Sequence, residues 1–251
     1  MEIASGVHSL GDTSGGWVRA LLIDDGTGLT LIDTLYASDG RLVLEELRRL
    51  GRKPSDIKNI IITHAHQSHI RGLPALRAAS SAKVYAHEFE ADVLAGRRKY
   101  EIPAGTGLWP RRPLRVYPFQ VGFVLRLKMP PPVEVDQTLK DGDHVGPLTV
   151  LHSPGHSPGS LSFYWPERRV LIVADAVSTW PEVALGWPQI NLDERQNRAS
   201  MGKLCDLSNV DVLCVGHGDP VVQGGAETLR DLVAGRATQP HIQHRSSRDG
   251  R

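Results

Sequence analysis

The chain has 251 residues, enough to bury a large core, and a sheet-rich chain of this length commonly folds as one domain. Its 29 lysines and arginines almost balance 28 aspartates and glutamates, which excludes a strong electrostatic pull toward nucleic acid or an anionic membrane and leaves a small molecule as the expected partner. The opening MEIASGVHSLGD lacks the regions of a leader, and no apolar run approaches the roughly 18 residues of a spanning helix, so a cytoplasmic protein is expected.

In chain order, WVRALLI, the turn Asp24-Asp25-Gly26-Thr27-Gly28 and LTLIDT read as strand, turn, strand. Ser38 and Asp39 are N-cap candidates for a helix whose Leu42, Leu44, Leu47 and Leu50 share a broad face, closed by Gly51. IKNIIIT is β-branched and nearly continuous, as in a central strand covered on both faces, and stops at His64. GLPALRAAS then reads as helix, AKVYAH as strand and EFEADVLAG as helix. Residues 96–138 break into arginine, proline and aromatic residues, with one further strand candidate in FQVGFVLRL; this segment is expected to form a loop on the substrate side. Its Arg111, Arg112 and Arg115 read as a solvated cluster. LTVLHSPGH, SLSFYW, RVLIVAD and DVLCVGHGD are strand-like, with helices near Glu194–Leu207 and Ala226–Ala234. The domain therefore spans 1–236, and the polar residues 237–251 are expected to be a disordered tail. Cys214 lies within an apolar run, and both it and Cys205 are expected to be free thiols.

Four strand-like runs end alike. NIIITHAHQSH, LTVLHSPGHS, RVLIVADA and DVLCVGHGD each place a histidine or aspartate at or just beyond the strand's carboxyl end, where loops of an α/β sheet converge. Neutral imidazole is the commonest nitrogen ligand of transition metals, and a carboxylate adds charge and can bridge two cations. His64 and His66 alternate across one extended residue and so face the same side, while His69 sits one helical turn further on, within reach of a second ion. His8, His87 and His144 read as surface or core histidines without a metal role.

From Gly6 to about Gly235, through LIDT, the histidine-rich motif, SPGHSPGS, LIVADA and VGHGDP, the sequence resembles the metallo-β-lactamase-fold hydrolases, which include glyoxalase II, lactonases and lactamases. The resemblance implies an α/β fold, a four-layer αβ/βα sandwich with metals at one edge of two sheets. It implies His64, His66 and His156 around a first metal, His69 and His217 around a second, and Asp175 between them. It also implies Asp33 as a support that does not ligate; His152 either supports His156 or flanks the turn. One or two divalent ions are expected, zinc first, with iron or manganese as the other choices.

The family motif His-x-His-x-Asp-His has Ser68 where the aspartate usually stands. A neutral hydroxyl is a poor ligand, so the second ion is expected to be held by His69, His217 and Asp175 alone. The resemblance implies a hydrolase in which metal-bound hydroxide attacks an ester, thioester, lactone or related carbonyl, with Asp175 orienting the hydroxide and Ser68 exchanging one hydrogen bond with it. Trp180 and Trp187 are candidates for the substrate pocket. The alternative from another class is a metal-binding but non-hydrolytic protein, either an iron redox or oxygen-using member or a degenerate ligand-binding one. Ser68 is its main support, and the lack of a recognisable flavin partner domain counts against electron transfer.

Overall fold

The computed structural model of the protein describes residues 1–15, 17–99, 101, 129–186, 190–207, 209–236 and 240–242. Its first half runs β1 (Glu2–Ala4), β2 (Val7–Asp12), β3 (Val18–Asp24), β4 (Leu29–Ile32), α1 (Arg41–Arg49), β5 (Ile57–Ile61), α2 (Gln67–Ile70), α3 (Leu73–Ser80), β6 (Lys83–His87), α4 (Glu88–Leu94) and β7 (Gln137–Leu139). The second half runs β8 (His144–Val145), β9 (Leu148–His152), β10 (Leu161–Trp165), β11 (Val170–Ser178), β12 (Ala184–Leu185), α5 (Glu194–Leu204), β13 (Val212–His217), β14 (Val221–Gln223), α6 (Gly225–Ala234) and β15 (His241–Ile242).

The strands hydrogen-bond along one path, β7-β6-β5-β4-β3-β13-β11-β10-β9-β8. Neighbours from β4 to β7 are parallel, as are β11 and β13. The two halves join where Val18 of β3 faces His217 of β13. Alternation along the strands then sets the layers. Leu21, Ile32 and Ile61 of the first half meet Val150, Phe163 and Ile172 of the second in an inner core. The opposite face of the first half, with Leu22, Leu31 and Ile60, packs under α1, α3 and α4, while Leu171, Val173 and Leu213 of the second half pack under α5 and α6. The result is the expected four-layer αβ/βα sandwich. Burying each large side chain in such layers contributes about 1.5–3 kcal/mol.

Several local expectations need adjustment. Gly40, not Ser38 or Asp39, is the N-cap of α1, although Asp39 Oδ1 accepts the Arg41 N–H at 3.1 Å. The α1 face buries Val43 and Leu47, with Leu42, Leu44 and Leu50 partly covered. β5 ends at Ile61, earlier than expected, because Thr63 is diverted to a side-chain partner described below. The tail expected over 237–251 is not wholly unstructured, since His241–Ile242 pair antiparallel with Val221–Gln223. Residues 102–128, with Arg111, Arg112, Arg115 and the FQVGFVLRL strand candidate, lie outside the described residues, as do 243–251. Both cysteines are free, with Cys214 in the inner core. Among the described residues no helix is long and apolar enough to cross a membrane.

Candidate metal centre

Beyond β5 the chain is steered by Asp33 at the end of β4. Its Oδ1 accepts the Thr63 N–H at 2.9 Å, and its Oδ2 accepts the Thr63 hydroxyl at 2.8 Å. That hydroxyl, having donated to Asp33, faces His64 Nδ1 at 3.0 Å as an acceptor, which keeps the ring proton on Nδ1 and leaves a lone pair on Nε2. Asp33 Oδ2 also lies 2.9 Å from His69 Nδ1 and holds that ring in the same sense. His66 is the extended N-cap of α2, and Thr34 pins the His69 carbonyl through its N–H and hydroxyl, each at 2.7 Å.

The second half supplies the other donors. His156 lies in the turn between β9 and β10, and its Nδ1 meets Asn191 Oδ1 at 3.0 Å, again leaving Nε2 for a ligand. Asp175 lies within β11, whose pairing with β13 slips register on both sides of Ala174, a residue held at φ 46°. Such a bulge re-aims the side chain that follows. Gly216 of β13 passes so close that a Cβ there would lie 1.8 Å from Asp175 Oδ1, so only glycine fits. His217 closes β13.

These side chains meet in one buried cluster. His64, His66, His156 and Asp175 form one group of possible ligand atoms, and His69, Asp175 and His217 another. His66 Nδ1 is 2.9 Å from His156 Nε2, and His69 Nε2 is 3.3 Å from His217 Nε2. Asp175 Oδ2 lies 3.6, 3.4 and 3.3 Å from Nε2 of His64, His156 and His217, while Oδ1 lies 3.3 Å from His69 Nε2. Donors about 2.0–2.1 Å from one tetrahedral ion sit about 3.3 Å from one another, so both groups have the right spacing for a metal ion. The buried His64 Nε2 and Asp175 Oδ1 make no hydrogen bond, which fits atoms aimed at a cation.

The electrostatics agree. Burial pushes His64 and His66 well below, and His156 below, the ordinary histidine value, so these rings are held neutral, the form that ligates. Burial opposes charge on Asp175, yet His217, His69, His64 and His156 hold its carboxyl well below the usual range. On His69 burial also opposes charge, but Asp175 and Asp33 outweigh it and push the ring up to about 10. Two carboxylates here draw positive charge into the centre.

Sequence reading missed two supporting residues. Asn191 holds His156 from a loop without regular structure, and Glu90 of α4 accepts hydrogen bonds from Ala65, Ser157 and Gly159. Of the two readings of His152, the geometry fits the one that flanks the turn and not the support of His156: its Nε2 meets the Pro158 carbonyl at 3.0 Å and its ring stacks on His87. His87 in turn caps α4 by accepting from Phe89 N–H. His8 is buried on β2 and His144 exposed on β8, and neither belongs to a ligand group. Ser68 is half-buried on α2, and its hydroxyl makes no hydrogen bond among the described residues. Trp180 is half-buried just beyond β11; Trp187 lies outside the described residues.

Residues 18–217 match the model of the metallo-beta-lactamase superfamily. The chain is 27% identical over 225 residues to the uncharacterized protein YobT of Bacillus subtilis (strain 168), covering 86% of this chain and 89% of that protein. It is 29% identical over 238 residues to the acyl-coenzyme A thioesterase MBLAC2 of Gallus gallus, covering 92% and 79%. A metallo-beta-lactamase family protein from Thermus thermophilus shares the fold, with a TM-score of 0.66 at 22% identity over 93% of this chain and 80% of its own. The family match runs from the start of β3 to the end of β13 and takes in all six residues of the two ligand groups, and the chain belongs to the metallo-beta-lactamase superfamily.

Proposed function

We propose that the protein is a metal-dependent hydrolase of acyl compounds, with thioesters foremost among esters, lactones and related carbonyl substrates. The observation that carries this is the pair of buried ligand groups sharing one carboxylate, Asp175. His64, His66 and His156 with Asp175 would hold one ion, and His69 and His217 with Asp175 a second; neutral imidazoles make zinc the proposed metal. Bound there, the metal supplies Lewis acidity toward a carbonyl oxygen and lowers the pKa of water at neutral pH.

The chain's own residues do the rest. Asp175, the carboxylate shared by the two groups, is the residue proposed to accept a hydrogen bond from the attacking water and so orient it. Asp33, Thr63 and Asn191 fix the ring tautomers so that lone pairs face inward. Thioesters lead because the relative MBLAC2 is named an acyl-coenzyme A thioesterase, and because of what adjoins α2. A cavity of about 430 Å³, lined by Ile70, Leu73, Leu94, Met129 and Val133, begins one residue past His69. Gln67 Nε2 reaches Met129 Sδ at 3.5 Å, and Arg98 and Lys99 are its charged lining residues. An apolar acyl arm with an anionic carrier suits that lining.

The test is hydrolysis of coenzyme A thioesters of increasing acyl length beside an aryl ester and a lactone. Turnover of thioesters, rising with acyl length, lost on chelation and restored by zinc, is expected. Zinc-loaded protein that cleaves none of these substrates would overturn the proposal.

Acid sensitivity follows from the same burial. A ligand ring whose pKa lies below 6.5 resists protonation at pH values where an ordinary histidine is half charged. The ion of the first group should therefore be retained through pH 6.5 and lost only below it as protons displace it, whereas at His69, pushed up to about 10, a proton already competes with the second ion above pH 6.5; metal per chain after dialysis across a pH series reads both. Loss of both equivalents centred above pH 6.5 would contradict the neutral-ring assignment for His64, His66 and His156.

A further inference from the structure

Glu90 belongs to neither ligand group, yet it is 2% exposed and reaches both loops that carry the first one. Its Oε2 accepts from the N–H of Ala65, the residue between His64 and His66, at 2.8 Å. Its Oε1 accepts from the Ser157 hydroxyl at 2.7 Å and from Gly159 N–H at 3.0 Å, both in the turn that begins at His156. The packing is tight, since a Cβ on Gly159 would lie 2.7 Å from the Glu90 carboxylate. One fixed N–H donor therefore faces each oxygen. Two acceptors are needed, and among side chains of this shape only a carboxylate offers both. Taking a carboxylate out of water is costly, and burial pushes Glu90 upward while Ser157, Ala65 and Gly159 act against that shift.

We propose that Glu90 is the positioning residue of the first ligand group, coupling the His64–His66 loop to the His156 turn so that three ring nitrogens converge on one cation. The coupling is direct: His66 Nδ1 and His156 Nε2, one from each loop, stand 2.9 Å apart. None of these three hydrogen bonds reaches His69 or His217, so the effect of Glu90 falls on the first group and spares the second. This assignment rests on the metal-centre reading above but not on the identity of the substrate.

Glu90→Gln is the decisive variant, because glutamine keeps the shape and replaces one acceptor by an amide NH2 donor that faces a backbone N–H donor. Zinc affinity is measured by competition with a chromophoric chelator in two backgrounds. His217→Ala leaves the first group complete, and His156→Ala leaves the second complete. Glu90→Gln is expected to weaken zinc about 10- to 100-fold in the first background and less than about threefold in the second. Leu47→Ala, a destabilising change in the core under α1, serves as control and should leave the ratio between backgrounds unchanged. Equal weakening in both backgrounds, no weakening in either, or the same pattern from Leu47→Ala would overturn the assignment. Should neither background bind zinc, the metal-centre reading itself fails and takes the assignment with it; failure to hydrolyse thioesters leaves it standing.

Discussion

Asp175→Asn should release at least one metal equivalent per chain and lower kcat/KM by more than about a hundredfold. Groups that merely hold a ligand ring in place typically cost about 10- to 100-fold when removed. Asp175 does more, because its two oxygens lie 3.3–3.6 Å from the Nε2 atoms of four histidines and it is the only carboxylate in either group. Asparagine preserves the volume beside Gly216 but removes the charge and points an amide donor at ring nitrogens that must themselves ligate. Elemental analysis of the dialysed variant, with circular dichroism to confirm its fold, separates loss of metal from loss of structure. A folded variant that keeps both equivalents and most of its activity would show that Asp175 does not bridge.

The ligand groups draw His64, His66 and His69 from the first half of the chain and His156, Asp175 and His217 from the second. At this edge the halves also meet through the Val18–His217 pairing, through Arg19, which reaches the Gly218 carbonyl and the Asp219 carboxylate, and through Glu90, which accepts from Ser157 and Gly159. A cation bound between the groups therefore also fastens the two sheets, and metal affinity adds to folding stability by mass action.

The parts of this molecule legible in its sequence are those with a local signal. β5, β9, β11 and β13 are apolar-rich runs, and the chemistry is written at or within a few residues of the end of each. β2 carries no such signal in the sequence because its buried polar residues His8, Ser9 and Asp12 interrupt any apolar run. Glu90 escaped for a different reason: its partners are 25 to 69 residues away, and an acidic residue in the first turn of a helix ordinarily reads as solvent-facing. Asn191 holds a ring 35 residues distant from a loop with no periodicity to mark it. The strand ends show where ligands sit, whereas the groups that hold their rings emerge only from the tertiary pairing.

Ser68→Asp should tighten binding of the second metal equivalent about tenfold or more. The second group as it stands offers two imidazoles and one carboxylate, and that carboxylate is shared with the first. Ser68 sits on α2 between the N-cap His66 and His69, and its hydroxyl makes no hydrogen bond among the described residues that a substitution would break. A carboxylate there adds a charged oxygen donor where a neutral hydroxyl contributes little, and Coulomb attraction to a dication is strong in a site as buried as this one. The measurement is metal per chain after dialysis against a graded series of buffered zinc concentrations. The wild type should release its second equivalent at higher free zinc than the variant does, with the first equivalent unchanged. If both equivalents release at the same zinc concentrations in the two proteins, position 68 does not face the second group. In that case the serine has no bearing on how many ions the protein holds.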